Sequence, residues 1–368
     1  MAEAAIDLFT PVQLGPYTLK NRMVMAPMTR LRAVDTIPTK LMAEYYAQRA
    51  SAGLIVTECT MISPLSNGYM NCPGIFSAQQ VSSWKSITKA VHSEGGRIFL
   101  QIWHCGRVAH PALLGGEMPV GASEIAAAGT LHTPEGKKTL EAPRLLETDE
   151  IPVIVNQFRN AALNALEAGF DGIELHGAFG YLIDQFLQDG SNQRTDRYGG
   201  SIENRCRFLL EIVEAVCQVC QSDRVGIKLS PSNTFYGMCD SDAIATFSHV
   251  IKALIPFNLA YIHLMEPTEN DLAKVKVIPS VTTTFRPLYP GTVITNGEYD
   301  KTKGNQSLEA GTADLVSFGR PFIANPDLPA RYAANAELNP PDFSTFYGLG
   351  DQNLDKGYTD YPVLSKNH

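Results

Sequence analysis

The stretch Asp171-Gly-Ile-Glu-Leu-His176-Gly-Ala-Phe179-Gly-Tyr181 carries the most chemistry in the chain. His176 and Tyr181 stand five residues apart across a glycine-containing turn. An imidazole N–H can polarise a carbonyl, and a phenol can deliver a proton. A His satisfied by backbone and a Tyr packed in a loop is the plainer alternative; position at a pocket mouth is what would separate the two. Gln101, in Gln101-Ile-Trp103-His104, offers both a donor and an acceptor, which suits the edge of a heterocycle. Trp103 either walls an apolar pocket or belongs to the core. Ser317-Phe-Gly319-Arg320 and Asn296-Gly297 have the look of a phosphate cradle, since Gly lets backbone approach closely and Arg supplies a forked donor. The alternative there is a structural turn with an Arg on the rim. The charged run between Asp189 and Arg205 reads as a rigid, hydrogen-bonded loop entering a helix, and is assigned to structure.

These groups need a scaffold that brings them together. Apolar runs of strand length recur at residues 23–28, 54–57, 98–103, 172–175, 225–229, 261–264, 293–294 and 315–318. Most are nearly continuously hydrophobic rather than alternating, as expected of strands buried on both faces of a parallel sheet. Helical patterns lie between them. Ser77-Ala-Gln-Gln80 can form a capping box ahead of Val81, Trp84, Ile87 and Val91 on one face. Gly95, Gly169 and Gly311 fall where helices should stop. Eight strands alternating with helices predict an α/β fold, a (β/α)8 TIM barrel, with a doubly wound open sheet as the rival. About forty residues after Trp103 interrupt the rhythm and predict a long capping loop after the third strand. The tail from Asn339 is expected to wrap the barrel as extended chain. Residues 1–368 read as a single domain.

In such a barrel the chemistry lies at the C-terminal ends of the strands. Those ends would carry Thr29, Glu58 and Cys59, Gln101 with Trp103 and His104, His176, Lys228 with Ser230, Glu266, Asn296 with Gly297, and Gly319 with Arg320. The set holds no acidic cluster for a divalent metal.

Composition narrows the partners. Acidic residues exceed basic ones, 38 against 30, for a net charge of −8. Nucleic acid and anionic membrane both need a positive surface, so neither is the expected partner. No apolar run reaches about 18 residues, so no transmembrane span is expected. The first residues lack a basic head and a long apolar stretch, which argues against a signal peptide. Seven scattered cysteines suggest reduced thiols and a cytoplasmic location. Cys217 and Cys220 have metal or redox spacing, but no second pair or nearby His completes a four-ligand site.

Taken in order, several motifs resemble the Old Yellow Enzyme family of FMN-dependent ene-reductases, including the 12-oxophytodienoate reductases. They are Met25-Ala-Pro27-Met28-Thr29-Arg30, Tyr45-Tyr46-Ala-Gln48-Arg49, Gln101-Ile-Trp103, the His176–Tyr181 segment, Asn192-Gln-Arg194-Thr-Asp196 and Phe318-Gly319-Arg320-Pro-Phe-Ile-Ala-Asn325-Pro-Asp327. The resemblance implies a barrel with FMN across its mouth and NADPH or NADH as reductant. Pro27, Met28, Thr29, Cys59, Gln101 and Lys228 would then surround the flavin, and Gly297, Gly319 and Arg320 its phosphate. Tyr69, Trp103, His176, Phe179 and Tyr358 would line the substrate side. The family mechanism passes hydride to the β-carbon of a small activated alkene. Tyr181 would protonate the α-carbon while side-chain donors hold the carbonyl oxygen.

Two departures from the family stand out. The second carbonyl donor, His or Asn three residues after the first, is here Phe179. The flavin-side Arg is here Lys228, which keeps the charge but loses the planar fork. Phe179 opens an alternative, the same scaffold turned to isomerisation, epimerisation or cyclisation. A third possibility is a flavin-binding protein without activity, against which the intact His176–Tyr181 pair argues. The chain is too short for the dienoyl-CoA reductase type with its iron–sulfur cluster. The molecule is expected to be a monomer or homodimer.

Overall fold

The computed structural model describes residues 6–274, 277–348 and 353–364. All eight apolar runs form strands: β1 Met23–Met25, β2 Leu54–Val56, β3 Ile98–Trp103, β4 Gly172–Gly177, β5 Val225–Leu229, β6 Tyr261–Met265, β7 Val293–Asn296 and β8 Leu315–Phe318. Each pairs in parallel with its neighbours. β8 returns to β1 through Ser317 opposite Val24, and β3 meets β4 through Gln101 opposite Glu174, so the sheet closes. The rival open sheet is therefore excluded. Nearly every strand residue is buried on both faces, which is why the runs lack alternation.

Local signals set the helix boundaries. The Ser77 hydroxyl accepts from the Gln80 N–H at 3.2 Å, and the Gln80 side chain accepts from the Ser77 N–H at 3.0 Å. This box opens the helix Ala78–Ser93, whose Val81, Trp84, Ile87 and Val91 are buried as the periodicity requires. Gly95, Gly169 and Gly311 end their helices with φ of +68°, +85° and +66°, the left-handed stop that a Cβ disfavours. An N-terminal hairpin, Val12–Leu14 with Tyr17–Leu19, seals the barrel floor by burying Leu14 and Leu19 against Val24, Leu54, Phe99 and Ile294.

The long stretch after β3 is a cap, but not a bare loop. It carries a hairpin, Thr130–Thr133 with Gly136–Thr139, and a short pairing of Val120–Gly121 with Arg144–Leu145. The Asp189–Arg205 stretch is structural as read. The Asn192 amide donates to the Phe186 and Tyr198 carbonyls, and Ser201 caps the helix Ile202–Cys217.

The tail does wrap the barrel, as turns held by buried cations. Arg30 donates to the Phe346 and Gly357 carbonyls, both at 2.8 Å. Arg32 reaches the Thr345 and Leu354 carbonyls, both at 2.9 Å. Arg49 reaches that of Tyr358 at 3.3 Å. Tyr358 is therefore not on the substrate side. It is fully buried and stacked on Tyr45 at 3.9 Å, with the Arg32 guanidinium 4.4 Å from its ring centre.

Candidate active site

A cavity of about 530 Å³ opens at the C-terminal ends of the strands. Pro27, Met28, Thr29, Cys59, Gln101, Lys228, Gly319 and Arg320 line it from β1, β2, β3, β5 and β8. Tyr69, His176, Phe179 and Tyr181 line it as well, so the residues read from sequence as cofactor and substrate contacts share one space. Trp103 stands behind this wall. It is buried and stacked between Tyr69 at 5.6 Å and His176 at 5.9 Å, so it orients the lining rather than forming it. Gly297 is also outside the lining; a Cβ there would meet the Glu266 Cβ at 3.0 Å. Glu266 accepts from the Val281 and Thr282 N–H groups and so caps a helix. Glu58 and His104 are buried away from the cavity. The Tyr46 hydroxyl donates to Glu58 at 3.3 Å.

Backbone geometry fixes the tautomer of His176. Its Nδ1 accepts the Ala178 N–H at 3.3 Å, which leaves the ring proton on Nε2. Burial, then the nearby Lys228 cation, lowers its pKa to about 3. The ring is thus a neutral N–H donor at physiological pH. Tyr181 stands at the N-terminal boundary of the short helix Leu182–Leu187, its side chain free of any capping bond, and is 9% exposed. Burial pushes its phenol well above the ordinary value of 10.0, so it keeps its proton. The two rings meet edge to face at 5.0 Å.

Beneath the cavity lies a polar chain inside the barrel. The Cys59 thiol donates to the Gln101 Oε1 at 2.8 Å, and the Gln101 Nε2 donates to Glu174 at 2.6 Å. The other Glu174 oxygen bonds the His263 Nδ1 at 2.8 Å. Burial opposes ionisation of Glu174, yet His263 and Lys228 hold its pKa below the usual range. Gln101 therefore turns its carbonyl oxygen, not its amide N–H, away from Glu174. Glu174 went unnamed in the sequence, although it sits two positions before His176 on the same strand face.

Lys228 donates to the Asn296 Oδ1 at 2.8 Å. Burial lowers its pKa to about 8, with Glu174 acting in the opposite direction. Phe179 has φ of +56°, a left-handed conformation that Asn tolerates and a bulky residue adopts at a cost of roughly 1–2 kcal/mol. Its N–H is held by Ser230 Oγ at 2.8 Å, and its ring lies 5.4 Å from the Lys228 ammonium. The cap hairpin completes the wall with Leu131, and loops with Phe235, Tyr236, Phe346 and Tyr347, none of which the sequence pattern singled out.

The donor set fits a flavin mononucleotide. An amide, a hydroxyl and a buried cation, from Gln101, Thr29 and Lys228, suit the polar edge of the ring. Arg320 is 65% exposed at the rim, 3.7 Å from Glu298 and over the Phe343 ring at 5.8 Å, a loose pairing that a phosphate's forked contact would displace. A Cβ at Gly319 would reach Met28 at 3.5 Å and narrow that cradle.

A family model described as NADH:flavin oxidoreductase / NADH oxidase matches residues 7–339. The chain belongs to this family. It is an FMN-dependent oxidoreductase with the Old Yellow Enzyme fold. The chain is 45% identical to 12-oxophytodienoate reductase 1 of Oryza sativa subsp. japonica, covering 99% of this chain and 95% of that protein. It is 40% identical to 12-oxophytodienoate reductase 2 of Arabidopsis thaliana, covering 99% and 97%. Among solved structures, morphinone reductase superposes with a TM-score of 0.93 at 45% identity, covering 100% of this chain and 99% of that one. The old yellow enzyme homologue from Zymomonas mobilis gives 0.93 at 42%, covering 97% and 100%. Among the described residues, no helix is long and apolar enough to cross a membrane.

Proposed function

We propose that this flavin oxidoreductase is an NAD(P)H-dependent ene-reductase acting on a small-molecule alkene activated by a carbonyl. The observation that carries the reading is the His176 ring, its Nδ1 tied to the Ala178 N–H, set edge to face with Tyr181 at 5.0 Å in one cavity wall. FMN, when bound, supplies the hydride that it takes from the nicotinamide. His176 Nε2–H donates to the substrate carbonyl oxygen and opposes the charge that develops there. Tyr181 Oη–H breaks as a C–H bond forms at the α-carbon. Pro27, Met28, Thr29, Cys59, Gln101, Lys228, Gly319 and Arg320 hold the cofactor, and Tyr69 and Phe179 shape the substrate side. Relatives named for reducing 12-oxophytodienoate and morphinone, and a neighbour solved with tetrahydroNAD, support this assignment. Anaerobic addition of NADPH or NADH should bleach the bound flavin, and a panel of activated alkenes should restore its colour. A flavin that neither nicotinamide bleaches would refute the proposal.

Phe179 favours a second reading in which the scaffold isomerises, epimerises or cyclises its substrate without net reduction. Conversion at unchanged mass with no nicotinamide added would select it, and strict dependence on NADPH would eliminate it. Phe179→Asn bears on the same question. It restores a second donor and relieves the left-handed strain, and should speed reduction of simple enones by about 10-fold, part of the effect one such donor typically has. Single-turnover reoxidation of the reduced flavin reads this rate. An unchanged rate would place residue 179 away from the carbonyl oxygen.

Lys228 gives a pH test. The ammonium is present below about 8 and lost above it, whereas Arg stays charged throughout. The midpoint potential of bound FMN should therefore fall more steeply above about pH 8 in the wild type than in Lys228→Arg. Parallel slopes in a potentiometric titration would remove Lys228 from the flavin's surroundings.

A further inference from the structure

Three tyrosine hydroxyls from three different loops meet at the cavity wall. Tyr181 Oη bonds Tyr69 Oη at 2.8 Å, and Tyr69 Oη bonds Tyr236 Oη at 2.5 Å. Tyr69 follows β2 and is fixed by its N–H on the Asn67 side chain at 2.9 Å. Tyr236 follows β5, in the turn Phe235–Gly237. Its backbone is left-handed, φ +58°, an unusual state for a bulky residue. The Tyr236 carbonyl accepts from the Ala128 N–H at 3.0 Å and from Arg107 at 3.3 Å, which holds that state from two sides. Bonds from the cap and from the loop after β3 thus offset the strain, and the result is a phenol aimed at Tyr69.

Exposure rises along the chain. Tyr181 is buried, and its remaining surface lies on the cavity wall, where a bound substrate would cover it. Tyr236 is partly exposed, and besides lining the cavity it lines a second, open depression with Thr234, Gly237 and Lys274, where it meets solvent. Burial raises the pKa of all three phenols, so each rests with a proton to give.

We propose that Tyr236 and Tyr69 form a proton relay that recharges Tyr181 from solvent while the cavity is filled. This rests on Tyr181 being the acid of the alkene step. As Tyr181 loses its proton to the α-carbon, the Tyr69 O–H breaks and a new Tyr181 O–H forms. Tyr236 replaces the Tyr69 proton, and a water at the loop surface replaces that of Tyr236. No electrons move along the chain; one solvent proton is consumed per alkene reduced. Tyr181 touches the reacting carbon, and Tyr69 and Tyr236 act through it.

The test is steady-state alkene reduction by the holoenzyme in H2O/D2O mixtures, with and without imidazole as a mobile proton donor. The wild type should give a curved proton inventory, with more than one proton in flight. Tyr236→Phe should lower the rate by about 10-fold, give a linear inventory, and recover most of the lost rate with imidazole. Tyr69→Phe should behave alike, and serves if Tyr236→Phe does not fold. A wild-type rate, or an unchanged curved inventory, or a loss that imidazole does not repair, would overturn the relay. A Tyr181→Phe enzyme that reduces alkenes at the wild-type rate would instead remove the parent assignment.

Discussion

Tyr181→Phe is expected to slow the alkene half-reaction by about 10²–10⁴-fold, the usual range for a positioned general acid, while sparing reduction of the flavin by nicotinamide. The change removes one oxygen and leaves the ring. The Tyr181 ring is held edge-on by Trp103 at 4.6 Å and by His176 at 5.0 Å, contacts that Phe keeps. A loss of rate therefore reports the proton and not the packing. Burial keeps the phenol protonated well beyond neutral pH, so the wild-type step should show no basic limb from Tyr181 near pH 7. Anaerobic stopped-flow of each half-reaction checks this. Equal slowing of both halves would remove Tyr181 as proton donor.

The second large effect is expected at His176. With Phe179 in place of the family's second donor, the proposed mechanism leaves His176 to oppose charge on the carbonyl oxygen. His176→Ala should cost about 3 kcal/mol in the alkene step, roughly 10²-fold. The sign of the pH effect follows from the lowered pKa. The ring is neutral, with its Nε2–H intact, at every pH above about 3, so His176 adds no acid limb between pH 5 and 8. A rate that rises with acid over that window, and loses the rise in His176→Ala, would show that the imidazolium is the active form. An unchanged rate in His176→Ala would mean that the carbonyl is held elsewhere.

The barrel was legible because its strands are buried on both faces, and a short run such as Ile98–Trp103, apolar at every position but Gln101, suits a parallel strand far better than an amphipathic helix. The pocket floor followed from strand-end positions: Thr29, Gln101, His176, Lys228 and Arg320 all reach one cavity. Gly297 and Trp103 show the limit of that rule, since a strand-end residue can face a neighbouring loop or back the lining instead. Tyr358 failed for a different reason. The tail is set by contacts as remote as Arg30 with Gly357, 327 residues apart in sequence, and no local pattern states which tail aromatic reaches the cavity. Phe346 and Tyr347 do, held in place by the Arg30 and Arg32 bonds to the tail. Tyr236 was hidden likewise, because its direction depends on a strained loop conformation that the residue type alone argues against. Glu174 is legible in the alternation along β4, which puts it on the face of His176 and one pleat deeper in the barrel.

The most direct measurement is anaerobic, with the flavin's own absorbance as the signal. Holoprotein reduced by one equivalent of NADPH or NADH is mixed with a cyclic enone under conditions that exclude oxygen. The expected result is reoxidation of the flavin with stoichiometric saturated product. That product should carry a flavin-derived hydride at the β-carbon and a solvent proton at the α-carbon. A flavin that stays reduced in the presence of every activated alkene offered, or a protein that retains no FMN, would contradict the assignment.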